Sequence, residues 1–228
     1  MEQNNTARIT LAPGGIESVV RPLRLVFWGG IFCVFDFKLN GVDVLNDVLG
    51  ALLIAWGVLR LGSSQIHERY RQAMLFVQVM ALLYVIQAVN AYVRYEFPRP
   101  LTFLLHVYGI AKMAATVVFC MTMRWMCIAT GLTQSEQSWK TTEILFAVIY
   151  LIPWGLLHVV WIICLLTGDS FNLRFDWLAL PLIFVFFVPI IHLLVSTSRM
   201  RAEAHSISHH TDKSPPHREP SGSVESRD

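Results

Sequence analysis

Four runs of roughly 20 apolar residues, at 74–92, 101–123, 144–166 and 177–196, constrain this chain more than any other feature. A helix covers the hydrocarbon core of a bilayer with about 20 such residues. Inside lipid each backbone N–H and C=O must find its partner within the segment, which favours helices over isolated strands. Two further runs, 23–37 and 42–62, are shorter or open with polar residues. Composition points the same way, with 54% hydrophobic and 15% charged residues and a mean hydropathy of +0.51. That exceeds what the core of a soluble chain of this size requires. The expected fold class is all-α, a polytopic transmembrane helical bundle of about six spans arranged as three hairpins.

Lys and Arg are retained on the cytoplasmic side of a membrane, so their distribution predicts orientation. With the N-terminus inside, thirteen of the eighteen fall in cytoplasmic segments and four (Lys38, Arg94, Arg99 and Arg174) in outer ones. Lys112 lies within a span. This asymmetry predicts both termini in the cytoplasm and a cell-membrane location, the bacterial inner membrane being the natural setting. Residues 1–20 read as a polar cytoplasmic segment, 21–198 as the bundle, and 199–228 as a disordered cytoplasmic tail too poor in apolar residues to fold. The first run lacks a small-residue cleavage pattern behind it and reads as an uncleaved span. Outer turns are expected at 38–41, 94–100 and 167–176, where Gly, Pro, Asn and Asp gather. Of the inner connections, 63–73 is expected to continue a helix and 133–142 to form a polar loop. Cys33, Cys120, Cys127 and Cys164 sit in apolar stretches and read as small hydrophobes.

The segment 35–50 carries three carboxylates, Asp36, Asp43 and Asp47, at a membrane boundary. On a helix, Asp43 and Asp47 would share a face, with Asp43 able to act as an N-cap. The alternative reading is a cation or proton site, since oxygen-rich clusters attract hard cations. The pattern Asn-Gly-x-Asp-x-Leu-x-Asp-x-x-Gly, here residues 40–50, resembles that of small uncharacterised polytopic bacterial membrane proteins with no established activity. The resemblance covers the first third of the chain and implies membrane residence alone. In many of those sequences a proline precedes the second Asp, where this chain has Asn46.

Lys112 stands near the middle of the fourth run. An intramembrane lysine costs about 2.5–3.5 kcal/mol on insertion scales and normally faces a bundle interior or a watery cavity. Asp47 or Asp36 is the expected ionic partner, and a buried pair that fixes packing is the alternative to a solute site. Gln87 and Asn90 lie near the outer end of the third run and extend the polar group. His106 and His158 fall at matching depths on neighbouring helices, so they are candidates for a haem, or else hydrogen-bonding interior groups. His192 lies near the inner end, and His205, His209, His210 and His217 lie in the tail. Pro153, Pro181 and Pro189 are placed to bend the last two helices.

No phosphate-binding loop, nucleophile elbow, zinc-helix motif or paired-cysteine spacing occurs, so a catalytic role is not expected and no cofactor is assigned. No basic patch points to nucleic acid. Three readings follow. The chain binds or conducts a cation or small polar solute through an outer-facing site built on Asp36, Asp43, Asp47, Lys112, Gln87 and Asn90. Alternatively it is a non-catalytic scaffold or accessory subunit, in contact with lipid and with a membrane partner or a second copy of itself. The third reading is a haem-bearing electron carrier.

Overall fold

The computed structural model describes residues 15–34, 38–39, 42–43, 47–63, 66–93, 99–168 and 179–212. These residues are almost entirely helical. The chain runs through α1 (Gly15–Val34), a minimal pair of strands β1 (Lys38–Leu39) and β2 (Val42–Asp43), α2 (Asp47–Leu61), α3 (Glu68–Val93) and α4 (Arg99–Thr130). Then follow α5 (Thr133–Phe146), a π-helical turn (Ala147–Leu151), α6 (Ile152–Thr167) and α7 (Ala179–Asp212). The two strands pair antiparallel, Lys38 opposite Asp43 and Leu39 opposite Val42.

Neighbouring helices close a ring. α1 packs on α2, α2 on α3, α3 on α4, α4 on the α5–π–α6 rod, α5 on α7, and α7 back on α1. The α1–α2 contact is the most extensive, and two glycines explain it. A Cβ on Gly29 would come within 2.7 Å of the Gly50 carbonyl oxygen, and one on Gly50 within 2.9 Å of the Gly29 carbonyl oxygen. Only bare backbone allows the two helices to approach so closely.

Among the described residues, four helical segments are long and apolar enough to cross a membrane: Glu68–Asn90, Leu101–Thr130, Thr133–Thr167 and Phe184–Ser206. Their side chains face outward to a degree that water would not tolerate. Along the α5–π–α6 rod, Ile144, Val148, Ile152, Leu156, Val159, Ile163 and Leu166 form an exposed stripe at three- and four-residue spacing. A continuous apolar stripe of this length on the outside of a bundle marks a surface that lipid covers. α1, at 20 residues, is about 30 Å long and matches the hydrocarbon core, whereas α2, at 15 residues, spans only about 22 Å.

The tightest packing lies at one end of the ring. Val19 and Leu23 from the start of α1 join Leu61 from the end of α2 and Tyr70 and Met74 from the start of α3. Met123, Met126, Trp139 and Met200 from α4, α5 and α7 complete the cluster. That assembly requires the rods to alternate in direction. It also gathers the beginning of α1 and the middle of α7 at the same end.

Several sequence expectations are corrected here. Residues 133–142 are helical, not a loop, because Ser135, Ser138, Trp139, Thr142 and Phe146 present one buried face at helical spacing. Between α4 and α5 the chain turns instead at Gly131, whose φ of 76° suits glycine. The connection at 63–73 does not continue a helix throughout: it breaks at Gly62, and α3 restarts at Glu68. His67 acts as its cap, Nδ1 accepting the Tyr70 backbone N–H at 2.9 Å. The boundary placed at 199 is also wrong, since α7 continues to Asp212 with Met200 and Ala204 buried. Residues 213–228 of the expected tail lie outside the described residues.

The π-helical turn has a local cause. Pro153 has no N–H to give to the carbonyl four residues earlier, and its ring crowds that position. The Ile152 N–H accordingly reaches the Ala147 carbonyl, five residues back.

Candidate functional site

The ring encloses a partly open cavity of about 320 Å³, with walls from α1, α2, α3, α4, the π turn and α7. Its lining is mostly aliphatic and aromatic, including Val26, Ile54, Val77 and Phe119. Four lining side chains are polar: Tyr84, Lys112, Thr116 and Tyr150. Lys112 is placed there because it lies 13 residues into α4, which begins at Arg99 and runs for 32 residues. When α4 crosses a bilayer, that depth is close to the midplane.

Two of the hydroxyls around the cavity are already engaged. Thr116 donates to the Lys112 carbonyl at 3.2 Å, and Tyr150 donates to the Phe186 carbonyl at 2.6 Å. Lys112 is different. Its Nζ donates to Gln87 Oε1 at 3.4 Å, and it lies 5.2 Å and 5.9 Å from the ring centroids of Tyr84 and Tyr108. Aromatic faces stabilise a cation by about 0.5–2 kcal/mol. An ammonium carries three N–H donors, so one long hydrogen bond leaves most of its capacity unused. One turn earlier on α4, the Tyr108 hydroxyl is buried without a partner.

The expected ion pair between Lys112 and Asp47 is not formed. Asp47 opens α2 as its first acidic residue and is exposed, while no carboxylate of a described residue pairs with Lys112. Asp43 does not share a helical face with Asp47, because it sits in β2 before α2 begins. The side chain of Asp43, and all of Asp36, lie outside the described residues. Of the six candidates for a cation or solute site, Lys112 and Gln87 meet. Asn90 follows Gln87 by three residues on α3, half-buried, and does not line the cavity. A cation site built from carboxylates around Lys112 is therefore not assembled among the described residues.

His106 and His158 do come together, at the α4–α6 contact. Their Nδ1 atoms are 3.1 Å apart, and His106 stacks on Trp161. The buried Gly109 leaves room for the His158 ring, whose Nε2 would lie 2.6 Å from a Cβ at that position. The two rings thus meet in a direct interhelical His–His contact, the hydrogen-bonding arrangement that is the alternative to a haem pair. Neither histidine lines the cavity, and no group of three or more potential metal ligands occurs among the described residues.

A second polar group, not anticipated from the sequence, lies between α5 and α7. Thr142 Oγ1 is 2.8 Å from His192 Nδ1 and 2.7 Å from Ser196 Oγ, and Ser196 is 2.8 Å from Ser138 Oγ. Beyond it, Glu203 of α7 accepts the backbone N–H groups of Gln134 at 3.1 Å and Ser135 at 2.8 Å, together with the Ser135 hydroxyl. A carboxylate there satisfies orphan donors at the start of α5 and complements the helix dipole. The signal was present as two i, i+4 pairs, Ser138 with Thr142 and His192 with Ser196. Close by, Arg124 pairs with Glu143 at 3.1 Å.

Compared along its whole length, the chain matches no protein family, no curated protein and no solved structure.

Proposed function

We propose that this chain is a multi-pass membrane protein that binds a small solute in the cavity at Lys112. In this reading the six rods all cross or enter the bilayer, with both termini on the cytoplasmic side. The gathering of the α1 start and the α7 middle at one end of the ring supports an even number of passages. The basic residues Arg60, Arg69, Arg71, Arg124 and Lys140 lie in or beside the ends of helices that meet there, as the cytoplasmic side requires.

The single observation that carries the binding reading is an ammonium with donors to spare on the wall of an otherwise apolar cavity. A volume of 320 Å³ falls at the lower end of the roughly 300–1,000 Å³ typical of small-molecule sites. Among the described residues the cavity's only charge is positive, which favours a neutral or anionic solute over a cation. Thermal unfolding in lipid nanodiscs tests this, using a panel of small neutral and anionic solutes. A ligand that binds the folded state raises the midpoint by mass action. At least one solute should raise the midpoint of the wild type and not that of Lys112→Met. Equal responses of the two proteins across the panel count against the site.

The scaffold reading is favoured by one specific observation, the Lys112–Gln87 bond that ties α4 to α3. In that case Lys112→Met would lower the unfolding midpoint without any solute being involved.

A further inference from the structure

This inference rests on the reading of the cavity as a solute site and names the class of solute. We infer that the occupant is an amphiphilic monocarboxylate of about eight carbons in all, its carboxylate at Lys112 and its chain along the apolar wall. Three features of the cavity converge on that chemistry.

The first is charge. Among the described residues Lys112 is the only charged one lining the cavity, and no ion pair joins it to a described carboxylate. A singly charged anion matches it, whereas a cation is repelled and a doubly charged anion would bring uncompensated charge into an apolar enclosure. The second is the disposition of donors. Lys112 Nζ gives one N–H to Gln87 Oε1 at 3.4 Å, from outside the cavity lining, and an ammonium has two further N–H groups to offer a ligand. A carboxylate accepts both in charge-assisted hydrogen bonds, which are the strong ones. The third is the wall. Beyond Lys112 the cavity runs past Val58, Val77, Met80 and Phe119, and the Thr116 and Tyr150 hydroxyls have given their protons to backbone carbonyls. A sugar, an amino acid or an inorganic ion would leave its remaining polar groups unmatched there, at a cost that an alkyl chain avoids. At about 30 Å³ per water-sized atom, 320 Å³ accommodates on the order of ten non-hydrogen atoms. That is the size of octanoate.

The test is titration calorimetry of the full chain in phosphatidylcholine nanodiscs with octanoate, octanol and octylammonium, with empty nanodiscs subtracted for partitioning. Octanoate should bind saturably and at least tenfold more tightly than octanol, with octylammonium showing no saturable binding. Lys112→Met should weaken octanoate at least tenfold and leave octanol unchanged, and Ala81→Phe, which fills the cavity from α3, should weaken both. If a variant fails to fold, the three-ligand comparison on the wild type still decides. Equal binding of octanoate and octanol, or tighter binding of octylammonium, overturns the carboxylate while retaining the cavity as a site. No saturable binding of any of the three to the wild type overturns the monocarboxylate, and if the solute panel also fails to separate the wild type from Lys112→Met, the cavity reading falls with it.

Discussion

A lysine at mid-bilayer with no counter-ion among the described residues is costly, and what it contacts has to account for it. Lys112 has one hydrogen bond, to Gln87 at 3.4 Å, and two aromatic faces more than 5 Å away. These offset only part of an insertion cost of about 2.5–3.5 kcal/mol. Replacement by methionine, close in length and apolar, should therefore raise the unfolding midpoint of the ligand-free protein while abolishing its response to solute. Chemical or thermal unfolding in nanodiscs reads both effects, and a lower midpoint would assign Lys112 to packing. Thr142 presents the opposite case. Its hydroxyl serves both His192 and Ser196 and is fully buried, so Thr142→Val removes a hydrogen-bond partner from each. The expected loss is about 1–3 kcal/mol, with Thr142→Ser recovering most of it in the same unfolding measurement.

At the scale of elements, what could be read from sequence followed the lipid. The four long apolar runs became four helices fit to cross a membrane because hydropathy over some 20 residues reports directly on the solvent a segment prefers. Their ends were less legible, since a helix continues into water wherever it can bury one face. α5 and the last turns of α7 show this. Ser135, Ser138 and Thr142 look polar in one dimension yet face Ser196 and Glu203 across the interface, and Met200 with Ala204 supplies an apolar stripe too sparse to register in composition. Glu203→Ala should uncap α5, at about 1–2 kcal/mol, and raise amide hydrogen exchange at residues 133–138 ahead of the rest of the bundle. Unchanged exchange there would remove the capping role. The α1–α2 contact depends on bare backbone at Gly29 and Gly50, so Gly29→Leu should separate the helices and cost about 1–3 kcal/mol or more. Of the site itself, Lys112 and Gln87 were legible as polar residues in apolar surroundings. Their convergence was not, because the rotation of each helix about its axis is set by packing that no single span reveals. The carboxylates misled for a related reason: Asp43 and Asp47 are four residues apart, but a strand and a helix start intervene, so helical spacing does not apply to them.

Over the whole molecule, the bundle divides into a packed end and a hollow middle. One end is densely packed, with Tyr70, Met74, Met123, Trp139 and Met200 buried and α5 fastened to α7 by hydroxyls and Glu203. The middle is hollow and holds Lys112. A rigid base beneath a cavity is what a binding site requires, since ordering the site in advance lowers the cost of binding. The π turn contributes to this division. The turn at Ala147–Leu151 carries Tyr150, which lies on the cavity wall and donates to the Phe186 carbonyl, one turn before Pro189 within α7. An electron cryo-microscopy map of the full chain in lipid nanodiscs with octanoate present tests this account most directly. It should show the helices closed in a ring around the cavity, with non-protein density within hydrogen-bonding distance of Lys112 Nζ. A map in which Lys112 points into lipid, or pairs with a carboxylate of the chain across a collapsed interior, would contradict it.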